Sequence, residues 1–356
     1  MEHLDTIKTH DYEEVSILQN KKAKLFVINV IHDTTRGPAV GGTRFMKYKS
    51  EDEAIYDALN LARSMTYKTA AAGLSCGGGK TVIMDIEGMD RVLGLKTVAR
   101  FIESLNGRRF TGRDLGISVE DIEIMRTETK WVADESAAGV GDLSEATGCG
   151  VFHAMRACLE EVTGSDSFKG KTVAVQGVGE VGYWVAKYAV EEEARVVVAD
   201  VNPTALAKTV QELKVETVSP DKIYEVDCDV FSPCAVGGVM NSGTIPRLRC
   251  KIIAGSANNV LWNEQDGNSL YSRRIVYAPD YIANAGAVIQ WWFRQTAYPI
   301  KDNRDGREVI ANIHQVVKEI LRLSREKRRP PARVADQYAE SKLKPEKTYK
   351  DMNWGM

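Results

Sequence analysis

One stretch, residues 172–200, constrains this chain more than any other. Thr172-Val173-Ala174-Val175-Gln176 is apolar and β-branched and reads as a buried strand, Gly177-Val178-Gly179-Glu180-Val181-Gly182 turns the chain, and residues 181–192 carry a helical pattern. Arg195-Val196-Val197-Val198-Ala199 reads as a second strand ending at Asp200, 18 residues beyond Gly182. A strand, a glycine turn, a helix and a second strand make a right-handed βαβ unit, the seed of an open, doubly wound parallel sheet. Three glycines alone also occur in plain strand–helix turns. With this context the reading is a dinucleotide on the helix N-terminus and the Asp200 carboxylate on both adenosine-ribose hydroxyls. A carboxylate there repels a 2′-phosphate, so NAD is expected in preference to NADP.

The rest of that half fits the same sheet. Asn202-Pro203 starts a helix, since Asn caps well and Pro is tolerated in the first turn. Three apolar runs, beginning at Val230, Lys251 and Ile275, end in turns that contain Ser232-Pro233-Cys234-Ala235, Ala254-Gly255-Ser256-Ala257-Asn258-Asn259 and Ala278-Pro279-Asp280. Ligands of such a sheet gather at the carboxyl ends of its strands. From Arg307 a long amphipathic helix is expected, broken at Pro330-Pro331 and followed by a shorter one.

The N-terminal third alternates differently. A strand is expected over 24–31, then a turn-rich loop from Gly37 to Arg44. Ser50 is placed to cap a helix with apolar positions at Ala54, Ile55, Ala58, Leu59, Ala62 and Met65, with Glu53 completing a capping box and Lys68 at its end. Further elements follow as a strand over 81–86, a helix over 91–105, an extended piece at Phe110-Thr111 and a helix over 119–129. With 356 residues, two domains are expected. A net charge of −2 suggests neither a nucleic-acid nor a membrane surface, and the start Met1-Glu2-His3-Leu4-Asp5 is unlike a signal peptide, so the cytoplasm is the expected compartment. Six cysteines without a Cys-x-x-Cys pair, and histidines without ligand spacing, point to reduced thiols and no metal site.

Gly77-Gly78-Gly79-Lys80-Thr81 resembles the end of a phosphate loop, but Leu74 stands where that motif needs glycine and the residues after Thr81 suit a strand. Lys68 and Lys80 lie 12 residues apart among small and apolar neighbours. Two surface lysines would be the ordinary reading. Convergent cations offer another: one stays charged and binds a carboxylate, the other loses its proton more easily. On that reading the glycines let substrate or backbone come close to Lys80, the α-carbon of a substrate being the one expected. Asp114, in Phe110-Thr111-Gly112-Arg113-Asp114, reads equally well as a turn residue.

Eight motifs in order then carry a resemblance: 37–44, 65–68, 77–80, 111–114, 177–182, 232–235, 254–259 and 278–285. The chain resembles the leucine, valine, phenylalanine and tryptophan dehydrogenases, relatives of glutamate dehydrogenase. The resemblance implies an N-terminal α/β substrate domain over 1–133, to which the tail from about 326 returns, a Rossmann domain over 134–325, and an active-site cleft between them. It implies that Lys68 holds the substrate carboxylate, Lys80 is the general acid and base, and Asp114 assists proton transfer. Asn259 would hold the amino group; Val40, Gly41, Gly42, Met65, Gly112, Val288 and Trp291 would line the substrate. Arg44, Ser144, Thr147, Gly177, Val178, Gly179, Glu180, Val181, Gly182, Asp200, Cys234, Ala235, Ala257 and Asn258 would face the NAD cofactor. The implied reaction is reversible oxidative deamination of an L-amino acid to a 2-oxo acid and ammonia by a homo-oligomer, a dimer or an octamer.

Lysine's ordinary pKa of about 10.4 is too high for a base near neutrality, and proximity to Lys68 together with closure of the cleft is expected to lower that of Lys80. In glutamate dehydrogenases a lysine and a serine hold the side-chain carboxylate. Val40 and Trp291 stand at those positions, so an apolar substrate is expected. Gly112 resembles enzymes acting on aromatic substrates, and Trp291 could offer a flat wall to a ring. Trp291 could equally fill that space and leave a pocket for leucine or valine, or belong to the core or an interface. Two other functions stay open, a Rossmann oxidoreductase of hydroxy acids and an NAD-binding protein without turnover.

Overall fold

The computed structural model describes residues 2–133, 142–295 and 304–343. The chain divides into two compact units: unit 1 is residues 1–141, 294–302 and 339–356, and unit 2 is residues 142–293 and 303–338.

Unit 1 opens with α1 (Glu2–Thr9), β1 (Glu14–Asn20), β2 (Leu25–Asp33), β3 (Ala39–Val40), β4 (Thr43–Met46), α2 (Glu51–Ala71) and β5 (Gly77–Met84). It continues with α3 (Arg91–Ser104), β6 (Arg109–Phe110) and α4 (Val119–Arg126). The sheet runs β1-β2-β5-β3-β6, with β4 also paired to β5. Antiparallel β1 and β2 give way to parallel pairs of β3 and β4 with β5. Ser50 caps α2 by accepting from Glu53 N–H, as expected, but the Glu53 carboxylate reaches Lys49 N–H at 2.7 Å and so closes a wider box. Ala54, Ala58, Leu59 and Ala62 of α2 pack on Phe26, Ile28, Val30 and Val82 of the sheet.

Strand β5 begins four residues earlier than the β-branched pattern suggested, because all three glycines belong to it. Their missing side chains make room for protein. A Cβ on Gly78 would stand 2.0 Å from Thr66 N on α2, and one on Gly77 would stand 1.8 Å from Asp33 O. The glycines therefore let α2 and β2 close on β5, which corrects the expectation that they admit a substrate.

Unit 2 begins with α5 (Leu143–Thr163), β7 (Thr172–Gln176), α6 (Glu180–Glu191), β8 (Arg195–Ala199), α7 (Pro203–Leu213), β9 (Glu216–Thr217) and β10 (Asp227–Pro233). Next come β11 (Arg249–Ile253), α8 (Glu264–Ser272), β12 (Val276–Tyr277), α9 (Asp280–Ala283) and α10 (Gly286–Arg294). The sheet order is β12-β11-β10-β7-β8-β9 and every pair is parallel. Strand order reverses between β7 and β10, the switch point where ligands of such sheets bind. Asn202 caps α7 by accepting from Thr204 and Ala205 N–H, and Pro203 occupies its first turn.

The expected long helix from Arg307 is two helices, α11 (Gly306–Ala311) and α12 (Ile313–Lys327), which meet at Asn312. A helix from Pro331 follows, α13 (Pro331–Leu343). Its last residues join unit 1, where Glu340 accepts from Tyr67 O–H at 2.6 Å and Lys342 O accepts from Arg36 at 2.8 Å. Among the described residues no helix is long and apolar enough to cross a membrane.

Candidate active site

Lys80 lies on β5 with its side chain buried, and its Nζ donates to Oδ2 of Asp114, on the loop after β6. The same oxygen accepts from Arg44 Nε at 3.0 Å. Arg44, on β4, is held at its other edge by Asp57 of α2, Nη1 to Oδ2 at 2.9 Å, and Tyr48 O–H donates to that carboxylate at 2.6 Å. A relay of fixed groups, Asp57, Arg44, Asp114 and Lys80, thus ends on a buried amine. The lysine is not without a carboxylate, as its sequence neighbours suggested; its partner lies 34 residues on.

Burial first, and then Arg44 and Arg109, push the Lys80 amine below its ordinary range, against the pull of Asp114. Burial is the largest of these causes, and the two guanidiniums add to it. Burial works against the Asp114 carboxylate too, but Lys80 and Arg44 outweigh it and bring its pKa down to about 2. Asp114 is therefore ionised, and Lys80 sheds its proton more readily than an exposed lysine. Burial also opposes the Arg44 charge, and Asp114 and Asp57 overcome that, raising its pKa.

Around this pair the structure gathers several of the residues expected to line a substrate. A Cβ on Gly41 would fall 1.9 Å from Gly79 O and 3.1 Å from Met65 Cγ, and one on Gly42 would fall 3.0 Å from Asp114 Cβ. Gly112 O accepts from Thr43 N–H at 2.8 Å, which ties the loop carrying Asp114 to the start of β4. Val40 is buried on β3, between β5 and β6. Half-buried Lys68 lies in the last turn of α2, one residue after Tyr67.

In unit 2 most of the expected cofactor residues follow the carboxyl ends of β7, β8, β10 and β11, while Ser144 and Thr147 lie on α5. Gly177, at φ +87°, turns the chain at the end of β7, where a Cβ would meet Ala235 Cβ at 2.7 Å. A Cβ on Gly182 would stand 1.9 Å from Gly177 O, so this glycine lets α6 pack against the turn. Around Gly179 nothing lies within 4 Å of such a Cβ, and α6 starts there without a side-chain cap. The turn is open on that side and its first amides are available to an anion. Val178 N–H donates to Asp200 Oδ2 at 2.6 Å, and Asn202 N–H to Oδ1 at 2.7 Å. The carboxylate is thereby fixed against the turn. Glu180 Oε2 accepts from Ser144 Oγ at 3.3 Å, while the Thr147 hydroxyl donates to Leu143 O at 2.8 Å within its own helix. Cys234 N–H donates to Gln176 O at 2.7 Å and Ala257 N–H to Pro233 O at 3.0 Å, which places these segments beside the ends of β7 and β10. Asn258 Oδ1 accepts from Asn284 Nδ2 at 2.8 Å, and Asn259 takes a left-handed φ of +51°. Val288 is half-buried on α10, whereas Trp291 is buried with its ring centroid 6.1 Å from that of Trp292.

Asp57, Tyr48, Arg109 and Asn284 were not singled out by sequence. Asp57 sits on α2 among other acids, and only its contact with Arg44 distinguishes it. Arg109 offers no clear signal in the sequence, since it follows Arg108 and only the fold shows that its two-residue strand is buried.

Residues 14–138 match the Glu/Leu/Phe/Val dehydrogenase dimerisation domain, and residues 139–204 and 199–329 match the Glutamate/Leucine/Phenylalanine/Valine dehydrogenase family. The leucine dehydrogenase of Thermoactinomyces intermedius is 43% identical over 347 residues, 96% of this chain and 94% of the relative. The phenylalanine dehydrogenase of Lysinibacillus sphaericus is 42% identical over 291 residues, 80% of this chain and 76% of the relative. The crystal structure of L-tryptophan dehydrogenase from Nostoc punctiforme superposes with a TM-score of 0.83 at 36% identity, covering 96% of this chain and 98% of that one.

Proposed function

The chain belongs to the glutamate/leucine/phenylalanine/valine dehydrogenase family, and on that premise we propose that it performs NAD-dependent, reversible oxidative deamination of an apolar L-amino acid. It is an amino-acid dehydrogenase and uses a dinucleotide. The observation that carries the mechanism is the buried Lys80 amine on an Asp114 carboxylate that Arg44 holds.

Lys68 binds the substrate carboxylate as a fixed cation, and Asn259 orients the amino group. When bound, the dinucleotide supplies the hydride acceptor. Lys80, neutral, takes a proton from water as the water oxygen attacks the imine carbon. Asp114 relays a proton to the departing nitrogen, and the C–N bond of the carbinolamine breaks to give the 2-oxo acid and ammonia. The amides from Gly179 onward in the turn would hold the pyrophosphate, and Asp200 the adenosine ribose, with Ser144, Thr147, Cys234, Ala235, Ala257 and Asn258 along the cofactor. What supports this is the open side of Gly179 and the uncapped start of α6. Arg44 spends Nε on Asp114 and Nη1 on Asp57, and a cofactor contact at Nη2 is compatible with these ion pairs. NAD over NADP follows from the Asp200 carboxylate and is checked by comparing kcat/KM for the two cofactors. The assembly proposed is a homo-oligomer, a dimer or an octamer.

For the substrate, Gly112 and the apolar Val40 and Val288 favour phenylalanine or tryptophan. A second reading, leucine or valine, is favoured by the burial of Trp291 against Trp292, which offers no exposed face for a ring. Initial rates of NADH formation at alkaline pH with L-phenylalanine, L-tryptophan, L-leucine and L-valine decide between them. A higher kcat/KM for leucine than for either aromatic substrate rejects the first reading.

A further inference from the structure

Arg109 is an anomaly in unit 1. It is fully buried on β6, and among the described residues no carboxylate pairs with it and neither Nε nor Nη1 has a hydrogen-bond partner. Its only polar contact there is Nη2 to Thr81 Oγ1 at 3.3 Å, and Thr81 in turn donates to Asn29 Oδ1 at 2.9 Å. An unpaired buried cation is costly, and an apolar side chain of similar size would normally be the more stable choice. A feature that breaks this rule points to a use elsewhere.

Its position suggests that use. A Cβ on Gly79 would stand 2.9 Å from Arg109 Nε, so the guanidinium packs on the backbone of the residue just before Lys80. Side chains alternate along a strand, so Gly79 and Thr81 face Arg109 while Gly78 and Lys80 face α2. The two cations therefore lie on opposite faces of β5. Resting on the acid–base reading of Lys80, we propose that Arg109 is a positioning residue whose buried charge, acting across β5, adds to burial and Arg44 in favouring the neutral, base-competent form of Lys80.

Burial and Arg44 act on Lys80 in the same direction and more strongly, and Arg109 adds to them. Asp114 favours the ammonium, and Arg44 opposes it but is itself paired with Asp57 and Asp114. Lys68 lies in the last turn of α2. His32 on β2, bonded to Thr66, is kept neutral by burial, with a pKa near 4. Arg109 adds a positive charge without a carboxylate beside it, and it acts in the same direction as burial. Burial lowers its own pKa to about 9, so it is cationic at neutral pH.

The test uses the full-length enzyme and the pH dependence of kcat/KM for oxidative deamination, with Arg109→Met, Arg109→Gln and Lys80→Ala. In the wild type the ascending limb reports loss of the Lys80 proton. Removing the Arg109 charge should move that limb about half to one unit toward higher pH, with the Tm of Arg109→Met at or above that of wild type. A limb that stays in place in a folded neutral variant overturns the proposal. So does failure of both neutral variants to fold, since the guanidinium would then be holding the structure. Lys80→Ala separates the two levels: retained turnover removes the acid–base reading and this inference with it. Lost turnover combined with an unmoved limb removes only the role of Arg109.

Discussion

Lys80 and Asp114 form a buried pair in which Nζ donates to Oδ2, the same oxygen that accepts from Arg44. The carboxylate is ionised and the amine is pushed toward its neutral form, an arrangement suited to passing a proton in either direction. Asp114→Asn removes a charge that favours the ammonium. The ascending limb of kcat/KM should therefore move to lower pH, while kcat falls by about 10²-fold or more because the relay is lost. A pH profile of the variant checks both. A limb displaced to higher pH would contradict the electrostatics described here.

Asp57 touches neither Lys80 nor Asp114, yet it anchors the opposite edge of Arg44. Asp57→Asn should loosen the guanidinium and lower kcat by about 10-fold, with KM for the amino acid little changed. Steady-state kinetics at saturating cofactor measure this. Wild-type kcat would show that Arg44 needs no second anchor.

Gly78 tests what the triple glycine is for. A Cβ there would stand 2.0 Å from Thr66 N, so α2 must retreat from β5. Gly78→Ala should destabilise the protein by about 1–3 kcal/mol, read as a fall in Tm. A variant with unchanged Tm and a raised KM would restore the view that the glycines admit substrate.

This glycine run shows where sequence reading reaches its limit. The 172–200 unit was legible because each of its signals is local: a β-branched strand, a turn that needs positive φ at Gly177, and an Asn202 cap all lie within a few residues of what they govern. Strand β5 was mistaken at its start because three glycines give no pattern, and their neighbours on β2 and α2 are distant in sequence. Helix α5 left no clear period, since buried Ala146, Gly150, Val151, Ala154, Met155 and Cys158 surround much of it. Lys80 was open to reading from its pairing with Lys68, and Asp114 took its role from the family resemblance, but the lysine's lowered pKa depends on burial and then on Arg44 and Arg109, which only tertiary contacts reveal.

Substrate size can be probed from both sides of the question. On the aromatic reading, Gly112→Ala should reduce kcat/KM for phenylalanine more than for leucine, by about 10- to 200-fold, the usual worth of a methyl group in a filled pocket. On the branched-chain reading, Trp291→Val creates activity on phenylalanine. The pair of variants assayed on both amino acids separates the two, and equal losses on both substrates would remove Gly112 from the pocket.

The central claim is oxidative deamination driven by Lys80, and product stoichiometry tests it most directly. With NAD and an apolar L-amino acid, NADH and ammonia should appear in equal amounts. Lys80→Ala should lose kcat by at least about 10²-fold while NADH binding stays near that of wild type. NADH formed from 2-hydroxy acids without ammonia, or a Lys80→Ala enzyme that turns over at the wild-type rate, would contradict the account.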